Sequence, residues 1–185
     1  MRASQTALFL CTLGVLMAGC GGGGNETPVS FDPAPPTVSE YDRQTKAARA
    51  QFEQNLQNAA EAAENWLASN RREASVNVTA SGLQYRIERA SPNPTGKRYA
   101  ADQSVTVHYE GRLIDGTVFD SSFERGRPET LNPAELIQGW QEALGLMQPG
   151  DEWTLFIPPA LAYGHLGRGS NIPPNAALIF KVQLR

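Results

Sequence analysis

The spacing of apolar positions changes several times along the chain, and each change predicts a different element. Residues 7–17 (ALFLCTLGVLM) form an unbroken apolar run behind one positive charge, Arg2, and ahead of two small residues, Ala18 and Gly19. A spanning helix needs ~20 apolar residues, so this run predicts a cleaved signal peptide over residues 1–19 rather than a retained transmembrane helix. Residues 20–39 show no apolar period. Gly21–Gly24 make their start flexible, and Pro28, Pro33, Pro35 and Pro36 bias the rest toward polyproline II, which predicts a tether.

Residues 40–73 lack Gly and Pro and are rich in Ala, Gln, Glu and Arg, a composition that favours a helical arm. Phe52, Leu56, Ala59, Ala63 and Trp66 alternate spacings of four and three, a narrow apolar stripe. The stripe covers under three heptads, so an isolated two-stranded coiled coil would be weak. Two readings stand: the helix lays Leu56, Trp66 and Leu67 on its own domain or a neighbour, or it is a dimerisation arm.

Beyond residue 81 the period falls to two. Gly82–Ile87 alternates, and in Val105–Glu110 the valines and Tyr109 take one face while Thr106, His108 and Glu110 take the other. Asp115-Gly116 signals a tight turn. Asn132-Pro133 reads as a helix N-cap and first-turn pair ahead of a helix over Ala134–Met147. Pro149-Gly150-Asp151 is a turn, after which Trp153, Leu155 and Ile157 alternate with Thr154 and Phe156. The chain closes on Leu178–Leu184, again with period two. Antiparallel strands wrapped on one short helix predict an α+β domain over residues 81–185. A Gly- and Pro-rich loop between Tyr163 and Asn175 is long enough to point to function.

Composition narrows the chemistry. With 185 residues, 41% of them hydrophobic, the chain can build one well-cored domain plus an extension. Its formal net charge is −3, and the leader's only charge is Arg2, so no basic face is hidden and nucleic-acid binding is not expected. Cys11 leaves with the leader. Leu16–Cys20 resembles a bacterial lipobox, with Met17 where that pattern usually has leucine, so Cys20 is expected to carry lipid; the alternative is an ordinary secretory leader with an incidental cysteine. On the lipobox reading no thiol is left for a disulfide, a metal or a nucleophile. Several acyl chains would anchor the protein stably, and by resemblance to bacterial lipoproteins Gly21 after Cys20 fits an outer-membrane destination in the cell envelope, facing the periplasm or the cell surface.

No Ser-His-Asp order and no Gly-rich phosphate loop stand out. His108 on a polar strand face and His165 in the Gly-rich loop read as surface or structural histidines, and no metal site is expected. What the domain does have is aromatic side chains beside turns: Tyr109, Phe119, Trp140, Tyr163 and Phe180. From position alone they could be core or pocket.

These residues sit in a series of motifs. Val107–Gly111 (VHYEG), Asp115–Ser122 (DGTVFDSS), Ile137–Trp140 (IQGW), Ala160–Gly164 (ALAYG), Ile172–Asn175 (IPPN) and Leu178–Phe180 (LIF) occur in order. The series resembles the FK506-binding peptidyl-prolyl cis–trans isomerases. Asn65–Asn70 and Ser81–Tyr85 resemble the lead-in of the macrophage infectivity potentiator subgroup, which places a helical arm before the domain. The resemblance implies a twisted antiparallel sheet wrapped around a short helix that begins nearer Gln138. It also implies a rotamase without cofactor, acting on X-Pro bonds of unfolded or folding exported polypeptides and open to a macrolide of the FK506 type. By resemblance, the catalytic positions are Tyr109, Phe119, Asp120 and Tyr163, and the substrate-binding positions are Leu136, Ile137, Trp140, Ile172 and Phe180. The sequence departs from the family at the rim. Arg127–Leu131 lacks a phenylalanine many members carry, with Leu131 or Arg127 near its place, and Arg168 and Asn171 replace a histidine and an apolar residue. A second reading is a binding module that captures apolar client segments, with isomerisation incidental.

Overall fold

The computed structural model describes residues 37–92, 94, 96, 99 and 103–185. The expected signal peptide, the lipidation site Cys20 and nearly all of the tether lie outside the described residues.

The arm is one helix, α1, spanning Val38–Asn70. It starts ahead of residue 40 because Thr37-x-x-Glu40 forms a capping box: the Glu40 carboxylate accepts from the Thr37 N–H at 2.9 Å and from its hydroxyl at 3.0 Å. At the other end Gln84, fully buried, donates to the Leu67 carbonyl at 3.0 Å and accepts from Asn70 Nδ2 at 2.9 Å. That pairing gives a second donor to a carbonyl that also accepts from the Arg71 N–H at 3.0 Å, and it pins the arm to the domain.

The domain is a seven-stranded antiparallel sheet of β1 (Asn77–Val78), β2 (Gln84–Arg89), β3 (Val105–Leu113), β4 (Val118–Ser121), β5 (Glu129–Leu131), β6 (Glu152–Ile157) and β7 (Leu178–Leu184). The strand order is β1-β2-β6-β7-β3-β4, and β5 also pairs with β3. One edge of β3 meets β7, while the other is shared by β5 at Val105–Val107 and β4 at Glu110–Arg112. A register shift between Gly111 and Arg112 marks where β4 leaves the regular ladder.

A short helix, α2 (Gln138–Leu146), lies under the sheet with Trp140, Ala143 and Leu144 buried. The helix expected over Ala134–Met147 is therefore corrected. Asn132 does cap, with Oδ1 accepting from the Ala134 N–H at 3.2 Å, but it caps a single 3-10 turn, Pro133–Glu135. Leu136 (ψ 165°) and Ile137 (ψ 151°) are extended and separate that turn from α2. The start at Gln138 is the one implied by the family resemblance.

Burial explains why β6 does not alternate in exposure: every residue from Trp153 to Ile157 is buried. Trp153, Leu155 and Ile157 join Val107, Leu144, Met147, Leu178 and Val182 in the core beneath the sheet. Phe156, Ala177 and Ile179 face the other way, onto Ala63 and Leu67 of α1 and with Trp66 beside them. The Trp66 and Phe156 rings are 5.7 Å apart. Of the arm's apolar stripe, only the C-terminal part is covered; Leu56 is half-buried, and Phe52 remains 60% exposed.

Candidate active site

Three strands and one helix aim aromatic rings at one place. Tyr109 comes from β3, Phe119 from β4, Phe180 from β7 and Trp140 from α2. The rings meet nearly edge to face: Tyr109–Trp140 at 5.6 Å and 86°, Trp140–Phe180 at 5.3 Å and 84°, Phe119–Phe180 at 5.5 Å and 85°. Each pair in that geometry sets a positive ring edge against a negative ring face. The aromatic cage is spaced by Gly111, which lies opposite Phe180 in the β3–β7 register. A β-carbon on Gly111 would sit 2.6 Å from Phe180 Cε1 and 2.7 Å from the Phe119 ring. Only glycine allows both rings to close over β3.

The rings border a cleft of about 680 Å³ whose lining includes Tyr109, Phe119, Asp120, Leu136, Ile137, Trp140, Tyr163, Ile172 and Phe180. Every pocket position named from the motif series thus faces one cavity. The lining also includes Leu131, Glu135 and Arg168–Asn171, whereas Arg127 is not part of it. Ile137 sits at the helix N-cap, and among the described residues its N–H has no acceptor. It is a donor left open at the cleft. The neighbouring Leu136 carbonyl is already taken, accepting from Gln141 Nε2 at 2.7 Å.

Polar groups gather on the β3–β4–β5 wall. The Tyr109 hydroxyl donates to Asp120 Oδ2 at 2.7 Å and accepts from Arg125 Nη2 at 2.9 Å. Arg125 Nη1 reaches Asp120 Oδ1 at 2.6 Å, and its Nε reaches Glu129 Oε1 at 2.7 Å. Burial, reinforced by the Asp120 carboxylate, pushes the Tyr109 hydroxyl well above its ordinary range, so it stays protonated as a donor. Asp120 is thereby oriented from two sides, while its side chain keeps 40% exposure. Arg125 and the ring-spacing role of Gly111 escaped the sequence reading. The available signal for Arg125 was its i,i+4 spacing to Glu129, a pattern shared with any solvated charge pair.

The opposite wall is the Tyr163–Asn175 loop. The Tyr163 hydroxyl accepts from Arg168 Nη1 at 2.6 Å. Ile172 is buried and bridges back to Arg168. The histidines are elsewhere. His108 stacks on Phe123 at 4.6 Å and pairs with the Ser122 hydroxyl at 2.9 Å, and His165 is exposed. Among the described residues no three His, Cys, Asp or Glu side chains gather as a metal site would require.

An antiparallel sheet curled over one short helix thus opens on an aromatic cleft with a free backbone N–H and a polar lip. Two family models match the chain: FKBP-type peptidyl-prolyl cis-trans isomerase over residues 96–185, and the domain amino-terminal to it over residues 23–87. The chain belongs to the FKBP-type peptidyl-prolyl cis-trans isomerase family, in its macrophage infectivity potentiator-like branch. It is 48% identical over 125 residues to the peptidyl-prolyl cis-trans isomerase Mip of Coxiella burnetii, covering 68% of this chain and 53% of that protein. It is 40% identical over 148 residues to the outer membrane protein MIP of Legionella longbeachae, covering 80% of this chain and 62% of that one. Among solved structures, FkpA from Escherichia coli matches with a TM-score of 0.68 and 30% identity, over 80% of this chain and 72% of that chain. The match spans between 42% and 67% of the length of the curated relatives.

Proposed function

We propose that the chain is a peptidyl-prolyl cis–trans isomerase assisting the folding of exported polypeptides. The observation that carries this reading is the convergence of four aromatic rings, a free Ile137 N–H and an oriented carboxylate on one cleft.

An X-Pro bond rotates slowly because twisting it destroys amide resonance, behind a barrier of about 18–20 kcal/mol. The planar amide is dipolar and well hydrated; the twisted form is less so. A cleft that removes water therefore disfavours the planar state more than the twisted one. In this reading Trp140 is the floor under the pyrrolidine ring, and Tyr109, Phe119 and Phe180 are the walls. The Ile137 N–H and the Tyr163 hydroxyl donate to substrate carbonyls, Leu136 and Ile172 close the apolar lining, and Asp120 lies against the rotating carbonyl. An acceleration of ~10³–10⁵ needs about 4–7 kcal/mol of preferential transition-state stabilisation. Water exclusion, shape and one or two fixed donors are of that order. No proton has to leave any group for this to work.

The same cleft would take an FK506-like macrolide. The residue layout further supports an arrangement in which residues 1–19 are removed, Cys20 is acylated, residues 20–39 are the tether, residues 40–73 the arm and residues 81–185 the isomerase domain. That would hold the domain at the bacterial cell envelope, in line with the name of the Legionella relative, at the outer membrane facing the periplasm or the cell surface. Among the described residues no helix is long and apolar enough to cross a membrane. The exposed Val38, Tyr41 and Phe52 on the free part of α1 favour a homodimer through the arm. They equally favour the second reading, a module that captures apolar client segments with isomerisation incidental.

The test is isomerisation of a proline tetrapeptide by the full chain, alongside Asp120→Ala and Tyr163→Phe. Both variants should fold normally and lose activity, and a macrolide should inhibit the parent. Unchanged activity in both variants would remove the site assignment. Suppression of client aggregation by a catalytically silent Asp120→Ala chain would favour the binding module.

A further inference from the structure

The two walls of the cleft are charged differently, and water exclusion alone does not call for the difference. On the β3–β4–β5 wall, Arg125 pairs with both Asp120 and Glu129, so its positive charge is more than balanced. On the loop wall stands Arg168. None of the ion pairs among the described residues includes it.

Arg168 is nevertheless held in place. Its backbone N–H donates to the Ile172 carbonyl at 2.8 Å, and its carbonyl accepts from the Ile172 N–H at 3.2 Å, bridging the loop tip. Gly167 makes that turn possible: its φ is +66°, and a β-carbon there would meet the Ile172 oxygen at 2.3 Å. The side chain is fixed as well, with Nη1 on the Tyr163 hydroxyl at 2.6 Å and the guanidinium 5.3 Å from the Tyr163 ring centre. A long, exposed cation held by backbone and side chain at the edge of a cleft, with no carboxylate partner among the described residues, is preorganised for an anion from outside. Guanidinium keeps further N–H donors in the fork that fits a carboxylate.

We infer that Arg168 is a specificity-determining residue, selecting substrates with an acidic side chain on the residue before the proline. The inference rests on the isomerase reading for where the peptide lies. With the pyrrolidine ring on Trp140, the rotating bond joins that ring to the preceding residue, which must stand at the lip of the cleft. Tyr163, whose oxygen already accepts from Arg168, is left to donate its proton to a substrate carbonyl. The guanidinium is then one hydrogen bond removed from the substrate backbone, within reach of a carboxylate side chain beside it. A lysine at the same substrate position would meet like charge.

The experiment measures kcat/KM of the full chain on Ala-Xaa-Pro-Phe 4-nitroanilides with Xaa as Glu, Leu or Lys, for the parent, Arg168→Gln, Arg168→Lys and Arg168→Glu. Tryptophan fluorescence titrations with the same peptides read binding without turnover. The parent should favour Glu over Lys by about fivefold at low salt, the size expected of an exposed charge pair, and less at high salt. Arg168→Gln should remove most of that ratio, Arg168→Lys should keep part of it, and Arg168→Glu should reverse it. If the parent turns the peptides over and Arg168→Gln leaves the ratio unchanged, the inference is wrong and the isomerase reading stands. If nothing is turned over but the Glu preference in binding follows the charge at residue 168, the inference stands and the isomerase reading fails. Absence of both overturns both.

Discussion

Where α1 covers Phe156 and Ile179, the strands β6 and β7 are buried on both faces, yet the faces serve different ends. On the outer face α1 packs Ala63 and Leu67 onto Phe156, Ala177 and Ile179, and the cleft beside that contact, between α1 and Pro158–Ala160, gathers no Phe, Tyr or Trp ring. On the inner face the covering element is short. A 3-10 turn and the extended pair Leu136–Ile137 precede α2, and the space they leave unfilled is the cleft. Alternating apolar residues on one pair of strands thus make a core on one side and a site on the other. What covers the strands decides which. Outer-face changes should therefore act on stability, and inner-face changes on activity.

The sharpest way to break that division is Gly111→Val. Its side chain would displace both Phe119 and Phe180, and a misplacement of that size in a preorganised site costs on the order of 100-fold in kcat/KM. Circular dichroism should still report a folded sheet. On the outer face, Leu67→Ala should destabilise the protein by about 2–4 kcal/mol in denaturant titration and leave kcat/KM within about twofold. A large activity loss in Leu67→Ala would dissolve the distinction between the faces.

Tyr109→Phe lies at the seam. Losing the hydroxyl that donates to Asp120 should cost about 1–2 kcal/mol. It should also change the alkaline limb. Because the folded-state pKa of Tyr109 is raised, the folded chain holds its proton after the unfolded chain has lost it. That contribution is complete below the ordinary value of 10.0 and declines as pH rises past it. The parent should lose melting temperature above pH 10 more steeply than Tyr109→Phe.

The smallest effect is expected at Glu88, at the sheet's solvent edge. Its hydrogen bond to Arg86, then that to Thr154, holds its carboxyl below the ordinary 4.5. The stability it adds is present above that value and is lost as pH falls through the lowered one. For an exposed pair this amounts to a few tenths of a kcal/mol, read as a slightly flatter acid limb in Glu88→Gln.

These residues also show what could be read from the sequence. Tyr109, Phe119, Trp140 and Phe180 were legible because an ordered motif series placed them, with strand alternation adding its support at Tyr109 and Phe180. The arm was legible from composition, but its start was not: Thr37 and Glu40 carry the capping signal, and the neighbouring prolines obscured it. Asn132-Pro133 pointed to a helix because a cap looks alike before a 3-10 turn and before an α-helix. The two-sided burial of Phe156 and Ile179 depends on a helix more than eighty residues earlier in the chain, which no local period encodes. The roles of Arg125 and Glu129 could not be read locally because their partners, Tyr109 and Asp120, meet them only through the β3–β4–β5 pairing.

The central claim is that this cleft turns X-Pro bonds, and relaxation of a cis-enriched Ala-Leu-Pro-Phe 4-nitroanilide at micromolar full chain tests it directly. Uncatalysed relaxation takes tens to hundreds of seconds. The rate should rise in proportion to chain concentration and collapse in Gly111→Val. A folded parent chain that leaves the uncatalysed rate unchanged would contradict it.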